Sequence, residues 1–163
     1  MSETPEQKAE SLAEPFEGFS ARPYLDTMAK PPVVTQGFGS TTRNGDGKTL
    51  IRLTDPPISL SIARLWMANE LHRVAVAVAE SVRVWLTIDQ VAALADLAYN
   101  IGIGAFRSST LLKKLNAGDY EGAAAEIDRW DHSGGVVVAG LLRRRVAETA
   151  LFKAPDKTTG DDA

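Results

Sequence analysis

The sequence predicts an α+β domain in which a small antiparallel sheet lobe sits beside a larger helical lobe, with a cleft between them. Three observations predict it. Strand-forming and turn-forming residues cluster between Phe19 and Asp55, and capped amphipathic segments fill nearly everything after Ser59. The chain has 163 residues, 44% of them hydrophobic and 24% charged, so it suits one domain with a substantial core. No internal repeat or interdomain linker interrupts it. The expected layout is a single domain over 1–153, with the sheet lobe at about 18–55, the helical lobe at about 56–153, and a polar tail at 154–163.

The elements follow in order. Thr4-Pro5-Glu6-Gln7 combines a capping residue, proline at the first helical position and Gln at the third, which starts a helix. Pro15 should kink its last turn or end it early. Gly18 suits the left-handed position after a helix. Tyr24, Val33-Val34, Phe38 and Leu50-Ile51-Arg52-Leu53 read as strands, and Asn44-Gly45-Asp46-Gly47 reads as a hairpin turn, giving two or three strands. Ser59 caps a long helix from Leu60 to about Val82, with Ala63, Trp66, Met67, Val74 and Val78 near one stripe. Thr87-Ile88-Asp89-Gln90 is a second capping box, opening a helix through Tyr99 with Val91, Leu94, Ala95 and Ala98 inward. Gly102 and Gly104 break it. Short helices follow from Ser109 to Ala117 and from Asp119 to Trp130. A Gly134-Gly135 loop leads to a last helix, Leu141 to Phe152, carrying Arg143, Arg144 and Arg145.

Composition excludes several classes. A formal net charge of −3 argues against a general nucleic-acid binder. Cysteine is absent, which removes disulfides and thiolate metal sites. His72 and His132 are isolated, without a second ligand at metal spacing, and Asn44-Gly45-Asp46-Gly47 lacks the closing acid of a calcium loop. No metal and no cofactor is therefore expected. Gly37-x-Gly39 lacks the third glycine of a dinucleotide loop. Trp66, Trp85 and Trp130 read as core residues, with the border of a cleft as the alternative for Trp130. No apolar run is long enough to span a bilayer and MSETPEQKAE is no signal peptide, so synthesis in cytoplasm and no stable membrane insertion are expected.

The stretch FEGFSARPYLDTMAKPPVVTQGFGST, from Phe16 to Thr41, carries the chemistry. Glu17 stands directly before a glycine where a helix should end. A negative charge there faces the negative end of the helix dipole, which disfavours the ionised form and favours a protonated Glu17. Phe16 and Phe19 add desolvation in the same sense. Asp26, at the edge of a hairpin, can be kept ionised by turn amides and water. One protonated and one ionised carboxyl across a cleft is the arrangement that cleaves a glycosidic bond. Thr35 can hold the attacking water against Asp26. By residue type alone, an Asp near a turn such as Asp26 is usually only a turn former, and a strand Thr such as Thr35 usually a sheet residue.

Glu17-Gly18, Tyr24-Leu25-Asp26 and Val34-Thr35-Gln36-Gly37-Phe38-Gly39 together resemble the active-site signature of the phage-type lysozymes, the endolysins of glycoside hydrolase family 24. The helical half DQVAALADLAYNIGIGAFRSSTLLKKLNAGDYEGAAAEIDRW and the closing GLLRRRVAETALF are similar to the same family in the same order, so the resemblance covers most of Leu12 to Phe152. It implies a lysozyme-like fold and hydrolysis of the β-1,4 bond between N-acetylmuramic acid and N-acetylglucosamine in peptidoglycan, by single displacement with inversion. Glu17 would be the general acid, Asp26 the base or electrostatic partner, and Thr35 would position water. Phe38, Tyr99, Asn100 and Ser109 would line the saccharide cleft. Arg144 or Arg145 would reach a carboxylate near it, leaving Arg143 solvated. The implied setting is a phage or prophage enzyme, monomeric, held in host cytoplasm until a holin-like pore lets it reach the wall. The sequence departs from the family where Met28-Ala29-Lys30-Pro31-Pro32 replaces a shorter turn, and where Gln36, Phe38 and Ser40 stand for the commoner Ile, Tyr and His. A catalytically silent glycan-binding module and a lytic transglycosylase are the alternative readings.

Overall fold

The computed structural model describes residues 3–156 of the chain; the greater part of the expected polar tail, 157–163, lies outside the described residues. Helix α1 (Pro5–Ala13) opens on the expected capping box, with Thr4 Oγ1 accepting from the Gln7 amide and Gln7 reaching back to the Thr4 amide. Pro15 ends it early: Glu14–Phe16 tightens into a single 3₁₀ turn, and Glu17 leaves in an extended conformation. Gly18 does not take up the left-handed conformation expected of it. The turn ends instead through Glu17, whose extended conformation leads straight on toward β1.

Strands β1 (Ser20–Asp26) and β2 (Val33–Gly37) pair antiparallel, with Tyr24 opposite Thr35 and Asp26 opposite Val33. The third strand does not form. Leu50 makes only an isolated bridge to Thr42, the Arg43 amide donates to Thr49 at 2.8 Å, and the chain then turns at Asp55 before Pro56-Pro57. Two prolines remove ladder donors where the strand would continue. The expected Asn-Gly hairpin is instead a 3₁₀ turn (Arg43–Gly45) followed by an Asp46 loop, whose carboxylate accepts from the Lys48 and Thr49 amides.

Helix α2 (Leu60–Ser81), capped by Ser59, returns the chain to the helical lobe. Helices α3 (Ile88–Ile101), α4 (Ile103–Arg107), α5 (Thr110–Asn116) and α6 (Tyr120–Ile127) follow. Gly102, at φ +93°, breaks α3 from α4 as expected, but Gly104 lies inside α4. A small hairpin, β3 (His132–Ser133) and β4 (Val136–Val137), forms where the sequence suggested only a loop around Gly134-Gly135. Helix α7 (Ala139–Phe152) closes the fold.

Two apolar clusters hold it together. One lies wholly among helices, with Leu94, Leu97, Phe106, Leu115, Ile127 and Phe152 buried. The other joins α1, α2 and α3 through Ala9, Ala13, Met67, Leu71 and Ala92, and takes in Phe38 from the sheet lobe. Phe38 is thus the apolar anchor between lobes, and α1 packs with the helices although it precedes the sheet. Of the tryptophans, Trp66 is buried and Trp130 packs against the first cluster, but Trp85 is 68% exposed, contrary to its core assignment. Among the described residues no helix is long and apolar enough to cross a membrane.

Candidate active site

A cleft of about 760 Å³ opens between the lobes, with Glu17, Tyr24, Asp26, Phe38, Glu70, Tyr99 and Asn100 among the residues lining it. Glu17 enters where the chain crosses from α1 to the sheet, Asp26 comes from the end of β1, and Tyr99 and Asn100 come from the last turn of α3. The two carboxyls singled out in the sequence therefore face one space from different walls.

The Glu17 wall is built on a buried guanidinium. Arg144, 3% exposed, donates from Nη1 to Glu17 Oε1 at 2.6 Å. It also grips Asp96 with two bonds, Nε to Oδ2 at 3.0 Å and Nη2 to Oδ1 at 2.7 Å. Phe16 places its ring 5.8 Å from the guanidinium carbon. Burial alone would lower the pKa of Arg144, but bonds and charge from Asp96 and Glu17 outweigh it and the pKa is raised. Next to this, Arg145 bonds Glu148 at 2.7 Å and the Trp130 carbonyl at 3.2 Å. Three carboxyls meet two guanidiniums here. Burial, followed by the hydrogen bond and charge of Asp96, pushes Glu148 up to about 9 against the pull of Arg145. Arg143 is exposed, as expected.

Glu17 does cap the 3₁₀ turn that continues α1, but the strongest charge beside it is a cation. Ion pairing, rather than a helix terminus, orients this side chain. It occupies Oε1 and leaves Oε2 toward Gly39, where a Cβ would lie 4.0 Å away.

The Asp26 wall is lighter. Asp26 Oδ1 accepts from the Met28 amide at 2.9 Å and the Ala29 amide at 3.4 Å, the turn amides the sequence suggested. The extra residues loop outward, and Met28 is 86% exposed. Tyr24 and Thr35 are cross-strand partners, and Asp26 follows Tyr24 by two residues, so Asp26 and Thr35 share one face of the hairpin. The insertion is absorbed without flipping Thr35 to the other face. Yet Thr35 is 3% exposed, is not among the residues lining the cleft, and its Oγ1 has no hydrogen-bond partner.

Phe38, Tyr99 and Asn100 line the cleft; the Tyr99 hydroxyl donates to the Phe38 carbonyl at 3.3 Å. Ser109 is not brought to them. It is the buried N-cap of α5, accepting from the Leu112 amide at 3.1 Å and donating to the Phe106 carbonyl at 2.7 Å. Two residues of the site escaped the sequence reading although a signal existed for each. Asp96 is the lone carboxylate in the apolar run Val91–Ala98, a position that demands a buried cation. Glu70 falls one helical turn after Trp66 and Met67, on the buried stripe of α2. Among the described residues there is no cluster of three His, Cys, Asp or Glu side chains that would hold a metal ion.

Comparison with known proteins places this geometry. The family described as phage lysozyme matches residues 14–148, a span that begins at the 3₁₀ turn before Glu17 and takes in Arg144. An endolysin of Acyrthosiphon pisum secondary endosymbiont phage 1 is 32% identical over 152 residues, covering 91% of this chain and 97% of that protein. An endolysin of Bacillus phage PZA is 51% identical over 75 residues, which are 46% of this chain; the chain spans only 29% of that relative's length. Among solved structures, the muramidase domain of SpmX from Asticaccaulis excentricus superposes with a TM-score of 0.75 at 28% identity, covering 90% of this chain and 95% of that one.

Proposed function

The chain belongs to the phage lysozyme family, and from that premise we propose that it is an endolysin-type muramidase, cutting the β-1,4 bond between N-acetylmuramic acid and N-acetylglucosamine in peptidoglycan. The observation that carries the reading is that Glu17 and Asp26 line one cleft from opposite lobes, with no other acid but Glu70 among the residues that line it with them.

In this reading Glu17 donates a proton to the leaving glycosidic oxygen. Arg144 already bonds Oε1, so the proton travels on Oε2, the oxygen turned toward Gly39 in the cleft. Asp26 takes a proton from water on the opposite face of the sugar, or steadies positive charge as the bond breaks. Thr35 supplies an unpaired hydroxyl on the Asp26 face of the hairpin, which a water in the closed complex can satisfy. Phe38 and Tyr99 offer apolar surface to sugar rings and Asn100 an amide. Residues 1–153 act as one catalytic unit in which α1 belongs with the helical lobe.

Clearing of outer-membrane-permeabilised cells tests the proposal: the wild type clears and Glu17→Gln does not. Mass spectrometry of released muropeptides then identifies the bond and the chemistry. Hydrolysis leaves reducing ends, transglycosylation leaves anhydro-muramic ends, and binding to sacculi without release leaves only a glycan-binding module. Passage to the wall through a holin-type pore and action as a monomer belong to the same proposal. Expression with and without a pore-forming protein, and sedimentation, test those two parts.

A further inference from the structure

Part of the cleft is walled by α2 and by the Asp46 loop beyond β2, and the chemistry above does not use it. Leu50, Arg73 and Val74 line that part. Among the described residues that line the cleft, Arg73 is the one cation, set against the acids Glu17, Asp26 and Glu70. The loop fixes its position. Gly45 and Gly47 take left-handed conformations, at φ +62° and +71°, which glycine enters without steric cost. Arg73 donates from Nη1 to the Gly45 carbonyl at 3.0 Å. A Cβ on Gly47 would overlap the guanidinium, so the bare glycine lets Arg73 lie against the loop. One turn earlier on α2, Asn69 Nδ2 donates to the Asn44 carbonyl at 2.8 Å. Two side chains thus clamp loop to helix, and Arg73 is held in place before any ligand arrives. Arg43, Arg64, Arg129, Arg144 and Arg145 are all ion-paired, whereas Arg73 has no ion-pair partner among the described residues. Glu70 and Asp46 feel its charge but do not bond it. The Asp46 carboxylate is taken up by the Lys48 and Thr49 amides and the Thr49 hydroxyl.

We propose that Arg73 binds a carboxylate that hangs from the glycan, carried either by the lactyl group of muramic acid or by an alanine of its stem peptide. The inference rests on the muramidase reading, and adds that the cleft reads the substituents of the sugar as well as the sugar. Arg73 is exposed, and its donors other than the one on Gly45 meet no protein acceptor among the described residues. A guanidinium with free donors takes a carboxylate through paired N–H bonds. Beside it stand Val74 and Leu50, the latter 67% exposed. Lactate and alanine share one chemistry, a carboxylate on a methyl-bearing carbon, so the charge meets Arg73 while the methyl meets aliphatic surface. The same cation offsets the acids of the cleft, which would otherwise repel an anionic polymer. Arg73 acts on binding and takes no part in bond breaking.

The test is the kinetics of the full chain on soluble glycan strands that keep their stem peptides, on strands stripped of peptide by an amidase, and on both forms after their carboxyls are converted to amides. Arg73→Gln should raise KM about five- to tenfold on strands that carry the recognised carboxylate, with kcat within about twofold of wild type. A loss on the peptide-bearing strands assigns the carboxylate to the stem peptide, and a loss on the stripped strands assigns it to the lactyl group. Converting carboxyls to amides should cost the wild type the same factor and cost Arg73→Gln nothing further. Arg73→Lys should recover part of the affinity, because it keeps the charge without the fork. The proposal is overturned if Arg73→Gln matches the wild type on both forms. It is equally overturned if the variant is weaker than wild type by the same factor on amidated strands, since only a structural role through Gly45 would then remain. A wild type indifferent to amidation overturns it without any variant, which covers the case in which Arg73→Gln does not fold. Failure of the muramidase reading looks different: the wild type would then release no reducing ends from any of the strands.

Discussion

Glu17 and Asp26 face the same cleft, but the walls behind them are built on opposite principles. Behind Glu17 stands a buried guanidinium with Asp96 and Glu148 around it, all drawn from helices and cut off from water. Behind Asp26 stands a two-stranded hairpin whose loop carries an 86%-exposed methionine and whose carboxylate is held by two turn amides. A buried ion pair leaves the acid one orientation, whereas turn amides and solvent let the other carboxylate adjust. A proton donor benefits from the first, because its proton must point at one oxygen; a base that works through a water tolerates the second. The comparison also explains why the sheet wall accepts Met28–Pro32 as extra length, since loop closure costs little per added residue.

The largest expected effect lies on the rigid wall. Arg144→Met strands Asp96 and Glu17 without their cation, so chemical denaturation should show a loss of about 3–5 kcal/mol, with activity falling in the same protein. An equally stable variant would erase the contrast between the walls. Asp26→Asn comes next and should separate the two properties: about a hundredfold lower kcat/KM with a melting temperature near wild type, as a general base on a solvated turn requires. Thr35→Val sharpens the hairpin side further. Removing a buried hydroxyl that has no partner should leave stability unchanged or raise it by about 1 kcal/mol, while kcat drops about tenfold if that hydroxyl holds water. The smallest effect belongs to Glu148→Gln. Its folded pKa is raised from 4.5 to about 9, so the stability it contributes is complete below about pH 4.5 and is lost as pH rises toward 9. A neutral amide replaces a neutral acid, so denaturation at pH 4 should place the variant within about 1 kcal/mol of wild type, with a flatter pH dependence above pH 4.5.

Much of the fold was legible because its signals are short-range. Thr4 and Thr87 cap helices through bonds to residues three positions on, and Pro15 ends α1 by its own lack of an amide hydrogen. The elements misread were those that needed a distant partner. Leu50–Leu53 has strand composition, but Thr42 offers it only a single bridge. Gly134-Gly135 reads as a loop because its flanking strands have two residues each, too few to show alternation. In the site, Glu17 and Asp26 stood out by type and position, whereas Ser109 belonged to a cap whose partners are local backbone groups.

By itself the sequence determined where α1, α2, α3 and α5 begin, that a carboxylate would stand at the α1 exit, and that another would sit on a turn. Those outcomes depend on hydrogen bonds and dihedral preferences within a few residues, and such forces act before the chain has a global shape. Tertiary structure alone decided that Arg144 grips Glu17 across 127 residues of chain, that Asp96 and Glu148 join it, and that Glu70 turns into the cleft. Charges interact through space and in proportion to their burial, and neither distance nor burial exists until helices α2, α3 and α7 have packed.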